Sequence, residues 1–137
     1  MTKAKLFCEL VIKGFEVAPD QITADLELEP SEIIHIGDIK HADPDDERPP
    51  ILHDSSIWSL SSGVSESTLL EDHVAALLER LAPAYDAIAT LSSKYEVILS
   101  IYGDVDEPYV GCNFTNEQLK ALARMGADLD VDIYTMD

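Results

Sequence analysis

Six short segments of the chain have the pattern of β-strands, because their apolar residues alternate with polar ones or form short runs between turn residues. These segments are residues 6–13, 33–36, 57–60, 95–102, 109–114 and 129–133. In the first of them, one face consists of Leu6, Cys8, Leu10 and Ile12. The segment 109–114 is expected to return beside 95–102 as its hairpin partner.

The clearest helical pattern lies between the third and fourth of these strands. Its apolar residues recur at spacings of three and four: Leu70, Val74, Leu77, Leu78, Leu81, Tyr85, Ile88 and Leu91. Thr68 and Glu71 match a capping box, which predicts that the helix begins after Thr68. Pro83 is expected to kink the helix or to split it in two, because proline removes one backbone donor.

Two shorter helices are predicted on either side of this one along the chain. The first has Pro19 in its first turn and ends before Pro30. The other is capped by Thr115, has Gln118 at its third position and is ended by Gly126. Its predicted buried stripe consists of Leu119, Leu122 and Ala123.

The chain of 137 residues is predicted to form a single globular domain over residues 1–137. Strands that are apolar on one side favour an α+β fold, in which a mixed, mainly antiparallel sheet has about three helices packed on one face. A split arrangement of two half-sheets related by a pseudo-twofold axis stays open. The likeness of residues 20–24 to residues 117–121 also indicates an internal strand–helix–strand duplication.

The apolar pattern stops over residues 39–55. This segment holds three prolines and four acids close together: Asp43, Pro44, Asp45, Asp46, Glu47, Pro49 and Pro50. A loop of this length in a compact domain is either functional or mobile. We interpret the segment as a mobile acidic, proline-rich loop.

Acidic residues greatly outnumber basic ones. Lys plus Arg total 9 and Asp plus Glu total 27, which gives a formal net charge of −18. This charge argues against nucleic acid as a partner, since phosphate contacts need clustered Lys and Arg, and against docking on an anionic membrane. It suits a basic protein or a cationic ligand, and also a surface that is acidic only for solubility.

The cysteines and the first residues indicate a cytoplasmic protein. Cys8 and Cys112 lie in apolar strand-like runs, so buried free thiols are expected rather than a disulfide. The apolar run after Lys5 is short and contains Glu9, unlike the longer core of a signal peptide. No stretch approaches the roughly 18 apolar residues of a membrane helix.

Turn, cap and core residues along the chain form a recognisable set. They are Gly14 at the end of the first strand, the segments 20–23, 28–30 and 58–60, and the ending over residues 122–134. Through these segments nearly the whole chain resembles the uncharacterised bacterial domain-of-unknown-function family 4279. The family has no established activity, so the resemblance carries over no catalytic residue. Small acidic bacterial domains of this kind include antitoxins and immunity proteins, which is an analogy of size and charge only.

Histidines and acids concentrate around the acidic, proline-rich loop. His35, His41 and His53 lie near Asp38 and Asp54 in the sequence. Imidazole and carboxylate together suit zinc, nickel or iron, so the three histidines are weak candidates for metal ligands. Their spacing lacks the short intervals of a structural zinc site. The preferred interpretation is therefore a solvated loop, with no cofactor.

The strand faces opposite the main apolar stripes carry further large residues: Phe7, Val11, Ile98, Tyr102 and Tyr134. If these strands are neighbours, the residues form an aromatic and apolar patch rimmed by acids such as Asp130 and Asp132, which is typical of a binding surface. The alternative is that the loop 39–55 covers this face. Trp58 is a candidate anchor of the patch or a core residue.

Asp128, Asp130 and Asp132 alternate along one face of the last strand. Three carboxylates in a row repel one another, so they would hold a cation or raise one pKa. The preferred interpretation is a solvent-facing row that discourages pairing of the strand with another edge.

Two classes of function stay open. The preferred one is a non-enzymatic protein-binding module, such as an immunity- or antitoxin-like inhibitor of a basic protein, because an acidic field steers a basic partner. The alternative is a small-molecule- or metal-binding protein or enzyme with its site near the histidines. No Gly-x-Ser-x-Gly motif is present, and His73 is expected on the exposed side of the long helix. A homodimer through the sheet is compatible with both classes.

Overall fold

The computed structural model describes residues 4–41, 49–106 and 111–135. Its strands are β1 (Ala4–Phe15), β2 (Glu32–Ile34), β3 (Ile39–His41), β4 (Ile51–Leu52), β5 (Ser56–Ser61), β6 (Glu96–Val105) and β7 (Asp128–Thr135). Its α-helices are α1 (Pro19–Leu26), α2 (Leu70–Leu81), α3 (Tyr85–Ser92) and α4 (Asn116–Met125). A 3-10 turn, Ala82–Ala84, joins α2 to α3.

Five strands form one continuous sheet in the order β2-β5-β1-β6-β7. Neighbouring strands are antiparallel except β6 and β7, which are parallel. The central strand is β1, whose 12 residues pair with β5 on one side and β6 on the other. The predicted α+β fold with a mixed, mainly antiparallel sheet is confirmed.

The side of the sheet toward the helices carries the hydrophobic core. Alternate residues of β1 are buried there, as the sequence pattern predicts: Leu6, Cys8, Leu10 and Ile12. Leu10 stands between Leu60 of β5 and Leu99 of β6, and all three are at most 1% exposed. Each such side chain stabilises the fold by about 1.5–3 kcal/mol when it leaves water. This alternation therefore decides which side of the sheet the helices cover.

The long helical pattern between β5 and β6 forms two helices, as expected from Pro83. Pro83 lies in the 3-10 turn that separates α2 from α3. Tyr85, the first residue of α3, donates a side-chain hydrogen bond back to the Leu78 carbonyl oxygen at 3.2 Å. The rest of the predicted stripe is buried: Leu70, Val74, Leu77, Leu78, Leu81, Ile88 and Leu91.

The capping box predicted at the start of α2 is wrong. The helix begins at Leu70, and its N-cap is Leu69, whose side chain makes no capping hydrogen bond. Thr68 belongs to the preceding turn, where its N–H donates to the Ser65 carbonyl oxygen at 2.9 Å. A side-chain cap stabilises a helix by only about 1 kcal/mol. Burial of the Leu70 side chain stabilises the fold by more than such a cap would. Burial therefore decides where the helix begins.

Both ends of α4 are as predicted. The Gln118 N–H donates to Thr115 Oγ1 at 3.1 Å, and the Thr115 N–H donates to Gln118 Oε1 at 2.9 Å, which completes the capping box. Gly126 ends the helix with φ 69°, a left-handed conformation that glycine adopts without a Cβ penalty.

The buried stripe of α4 differs from the predicted one. Leu122 and Met125 are buried, whereas Leu119 is 48% exposed and Ala123 is exposed. The helix packs against α3 and α2 rather than flat on the sheet. A helix that packs on other helices buries a narrower apolar stripe than one that lies flat on a sheet. The buried stripe of α4 therefore consists of Leu122 and Met125, which are three residues apart.

The hairpin predicted for residues 109–114 is wrong over the part that the structure describes. Residues 111–114 form no strand, and residues 109–110 lie outside the described residues. β6 pairs instead with β7, which runs parallel to it after the chain has crossed through α4. A parallel neighbour needs such a crossover, and alternation of residue types does not reveal it.

The two strand–helix–strand units suggested by the repeat have different surroundings. β6 and β7 are neighbours, whereas β5 lies between β1 and β2. Because β1 and β2 are both antiparallel to β5, they run parallel to each other, as β6 and β7 do. All five strands belong to one sheet rather than to two half-sheets.

Two short strands lie within the segment 39–55, where the sequence predicted a loop. β3 and β4 pair antiparallel, with Ile39 opposite Leu52 and His41 opposite Ile51. Residues 42–48, which include most of the acids of this segment, lie outside the described residues. The mobility of the segment stays a prediction.

Both cysteines are free thiols. Cys8 is buried as predicted, whereas Cys112 is only half-buried. Burial is the largest cause that raises the pKa of Cys8 to about 12, and the nearby Cys112 and Glu9 add to it. Across the described ranges of the chain, no helix has the length and apolar composition to cross a membrane.

Candidate functional site

The side of the sheet away from the helices is its open face. Strand alternation turns toward it the residues of β1, β5 and β6 that the core does not use, and strand pairing aligns them in rows. The row along the middle of β1 and β6 consists of Phe7 beside Tyr102, Glu9 beside Ser100, Val11 beside Ile98, and Lys13 beside Glu96. The sheet therefore brings together four of the residues that the sequence predicted as a patch.

The centre of the open face is aromatic and apolar. The rings of Phe7 and Tyr102 are stacked, with centroids 4.8 Å apart and an angle of 16° between their planes. Val11 and Ile98 stand side by side on the same two strands. Tyr102 is 38% exposed and the other three are half-buried. A sheet surface of this kind has large apolar side chains in reach of a partner.

Tyr134, the fifth residue of the predicted patch, lies at its margin. It is 60% exposed and pairs in register with Asp104 of β6. Its ring therefore extends the open face toward the outer strand β7.

Acidic residues surround this centre and set its electrostatic potential. Burial raises the pKa of Glu9, and the nearby Glu32 raises it further. Burial also raises the pKa of Tyr102, to which Glu9, Glu32 and Asp104 each add. Three carboxylates therefore lie close enough to Tyr102 to act on its charge, which makes the surface around the ring acidic.

The two lysines of β1 lie toward its ends, and each pairs in register with an acid of β6. Lys13 contacts Glu96 at 3.9 Å between Nζ and Oε2, at a partly exposed end of the strands. Lys5 pairs in register with Asp104 at the opposite end of β1. Neither lysine lies in the middle of the open face, between the apolar centre and Glu9.

Asp128, Asp130 and Asp132 form an exposed row on β7, on the open face. They stand beside Ile98, Ser100 and Tyr102 of β6 respectively. Among the residues that the structure describes, no group of three or more His, Cys, Asp or Glu side chains is arranged to hold a metal ion. The row therefore borders the apolar centre with negative charge.

Trp58, predicted as an anchor of the patch or as a core residue, lies in the core. It is 0% exposed, and its indole Nε1–H donates to Thr23 Oγ1 of α1 at 3.0 Å. Its neighbours Ile57 and Ser59 are the residues of β5 that face the open side, because alternate residues of a strand point in opposite directions. Trp58 therefore does not belong to the open face.

In the part of the chain that the structure describes, His35 and His53 belong to no group of three or more side chains that could hold a metal ion. His35 is exposed and His53 is half-buried. Their backbones are tied to a turn, in which the His35 N–H donates to Asp38 Oδ2 at 2.7 Å and the His53 N–H donates to the Asp38 carbonyl oxygen at 2.8 Å. The side chain of His41 lies outside the described residues.

His73 is buried, which corrects its predicted exposed position. It is 1% exposed, and its Nδ1 shares a hydrogen bond of 2.7 Å with Ser62 Oγ. Its Nε2 is also buried and has no hydrogen-bond partner among the described residues. Burial lowers the pKa of His73, a shift that the Ser65 backbone and Asp72 oppose.

The Ser62–His73 hydrogen bond joins the end of β5 to α2 in the buried interior of the protein. Both side chains are at most 5% exposed, so the Ser62 hydroxyl is not accessible to a substrate. The sequence did contain a signal for this burial. His73 lies three residues after Leu70 and four before Leu77, which puts it on the apolar stripe.

A shallow groove of about 340 Å³ runs between α2 and α4. Its lining includes Tyr85, Glu117 and Ala121, which also line a smaller hollow of about 270 Å³ beside it. Arg124 lines the smaller hollow, with its guanidinium 5.5 Å from the centre of the Tyr85 ring and 3.0 Å from Asp86 Oδ1. Among the described residues that line the groove and the hollow, no nucleophile is hydrogen-bonded to a base.

The fold and the open face define a small α+β protein that has helices on one side of its sheet and an acidic, aromatic surface on the other. The chain belongs to the family described as Domain of unknown function (DUF4279), whose match spans residues 3–136. The resemblance predicted from the sequence is thereby confirmed. Neither a protein of curated function nor a solved structure shows a significant match.

Proposed function

We propose that this protein binds a basic protein partner through its open face, as a non-enzymatic inhibitor of the immunity or antitoxin type that acts in the cytoplasm. One observation carries the proposal. The stacked rings of Phe7 and Tyr102 are partly exposed at the middle of a sheet whose surrounding charged groups are mainly carboxylates.

The composition of the open face supports this proposal. Protein interfaces have an apolar centre in which aromatic residues act as anchors, and a polar rim that stays in contact with water. Phe7 and Tyr102 are suited to the role of anchors, and Glu9, Glu32 and Asp104 to that of the rim. A cationic partner would also relieve the mutual repulsion of these acids.

The net charge adds a kinetic argument. A formal charge of −18 on 137 residues produces a long-range attraction for basic proteins. Such steering raises the association rate at low ionic strength and is screened over about 8–10 Å in ordinary salt. Binding through the open face is therefore expected to weaken as salt rises.

The test compares two charge reversals of the same residue type. Glu32→Lys places a positive charge at the open face, next to the acids that shift the pKa of Tyr102. Glu117→Lys makes the same change on α4, on the helix side of the molecule. The wild type and both variants are immobilised and exposed to a lysate of the source organism at low and moderate salt. The retained proteins are then identified by mass spectrometry.

We expect a basic protein that the wild type and Glu117→Lys retain alike at low salt. Glu32→Lys should retain roughly two- to tenfold less of it, since each surface ion pair contributes up to about 1 kcal/mol. Equal retention by Glu32→Lys and Glu117→Lys would show that any attraction is a property of net charge alone. Capture of nothing by the wild type would refute the proposal.

A further inference from the structure

The outer edge of β7 is a second feature of the sheet that bears on binding. β7 is the last strand of the sheet and pairs on one side with β6. No other strand in the described parts of the chain pairs with its outer edge. With 8 residues, Asp128–Thr135, it is long enough to hold a strand from another protein.

Exposed side chains lie on both faces of β7. Toward the helices, Leu129 is 43% exposed and Val131 is 48% exposed. These two residues pair in register with Leu99 and Ile101, which are fully buried. The helices thus leave Leu129 and Val131 exposed, because α4 packs on α3 and α2. Ile133, farther along the same row, packs against the core. The exposure of this apolar row is independent of the acidic row on the other side.

We propose that a β-strand of the basic partner adds to the outer edge of β7 and extends the sheet to six strands. Its alternate basic side chains would lie beside Asp128, Asp130 and Asp132 on the open face. Its intervening apolar side chains would cover Leu129 and Val131 on the helix side. This inference rests on the proposed function and specifies which segment of the partner is recognised.

The physical basis is the complementarity of the edge on three counts. An edge strand has unpaired backbone N–H and C=O groups that a new strand satisfies, which is a common mode of peptide recognition. Opposite charges on directly paired residues stabilise a sheet, and so do apolar pairs. A strand in which Lys or Arg alternates with apolar residues meets all three conditions.

A second copy of this chain does not satisfy the condition on charge. Antiparallel pairing of two β7 strands requires a twofold axis normal to the sheet, so the same faces of both copies adjoin. Asp130 of one copy would then lie close to Asp132 of the other. Like charges directly opposite each other destabilise a sheet, and each copy carries a net charge of −18.

The experiment uses a fluorescent octapeptide in which Lys and Val alternate, and it measures binding to the full-length protein by anisotropy. A scrambled peptide of the same composition, with its lysines together, is the control for charge. Two further peptides carry N-methyl groups, one on every Val and the other on every Lys. Only one of these sets of N–H groups can face β7, because backbone donors alternate along a strand.

We expect the alternating peptide to bind more tightly than the scrambled one. One of the two methylated peptides should lose about tenfold or more in affinity, since several backbone hydrogen bonds are lost together. The other should bind nearly as well as the unmodified peptide. Asp130→Asn with Asp132→Asn should weaken binding about five- to tenfold. The control with the same change of charge, Glu79→Gln with Glu117→Gln, should leave affinity close to that of the wild type.

Equal binding of the alternating and scrambled peptides would overturn the inference, as would methylated peptides that both bind or both fail. A concentration-dependent dimer of the protein alone, dispersed by the alternating peptide, would identify a second copy as the occupant and overturn it as well. These outcomes are separate from the Glu32→Lys comparison. A basic partner that depends on Glu32 but competes with no peptide would leave the proposed function in place without the edge strand.

Discussion

Neighbouring residues of the same strand have opposite roles in this protein. Trp58 is completely buried against α1, whereas the adjacent Ile57 and Ser59 face the open side of the sheet. The sequence left Trp58 open between the two roles, because a segment of four residues establishes no reliable alternation. In the longer β1, alternation over eight residues predicted both faces, including Phe7 and Val11 on the open one.

His73 gives a prediction for the dependence of stability on pH. Burial lowers its pKa in the folded state below the ordinary value of about 6.5 that it has when unfolded. Its contribution to stability is therefore fully present above that value. The contribution is lost as the pH falls through about 6.5 toward the folded pKa, because the unfolded chain then binds the proton more readily.

We expect urea unfolding to show that the wild type loses more stability than His73→Asn when the pH is lowered from 7 to 5.5. The matched control is His53→Asn, since His53 is only half-buried and has no buried orphan nitrogen. That variant should keep the pH dependence of the wild type. If the free energy of unfolding changes equally with pH in all three proteins, His73 is not the titrating group.

At the level of elements, local signals predicted helix ends well where a side chain makes the cap. Thr115 and Gln118 form the predicted box at the start of α4. The box predicted at Thr68 is absent, and the helix begins instead at Leu70, whose side chain is buried in the core. The parallel pairing of β6 with β7 was also missed. Strand order depends on contacts between residues far apart in the sequence, which a local pattern does not contain.

The end of α4 gives a second stability prediction. Gly126 has φ 69°, and a Cβ added there would overlap Ser92 Oγ, which itself donates to the Ala89 carbonyl oxygen at 2.8 Å. Gly126→Ala should cost about 1–2 kcal/mol from the left-handed backbone alone, and more from the overlap. Equilibrium unfolding measures this cost.

The control is Gly37→Ala, because Gly37 has φ 92° but no atom within 4 Å of the added Cβ. The difference between the two variants isolates the overlap with Ser92. Adding Ser92→Ala to Gly126→Ala should recover part of the loss. If Gly126→Ala costs no more than Gly37→Ala, the close packing of α4 on α3 at this point is wrong.

For the whole molecule, the dominant physical quantity is charge. Acids outnumber basic residues 27 to 9 in the sequence, and the acids that the structure describes include residues of the open face, β7 and the helices. The sequence was sufficient to predict an acidic patch around aromatic residues. It was not sufficient to show that Phe7 and Tyr102 stack, since that contact needs the β1–β6 register.

Self-repulsion of this charge should make the fold sensitive to salt. We expect the unfolding midpoint to rise when NaCl is increased from 10 to about 150 mM, because the Debye length falls from about 30 to 8 Å over this range. The same measurement in KCl separates screening from effects specific to one salt. A midpoint independent of ionic strength would mean that the ion pairs of the folded state already balance the repulsion.

The buried thiol of Cys8 makes the central strand observable in experiments. The thiolate is the reactive form of cysteine, and a pKa of about 12 keeps Cys8 protonated in the folded protein. Alkylating reagents therefore reach it only when the core between the sheet and the helices opens, whereas the half-buried Cys112 is reached earlier. The rate at which Cys8 is alkylated in native buffer therefore reports how often the structure around β1 opens. A partner that stabilises the folded sheet should lower this alkylation rate.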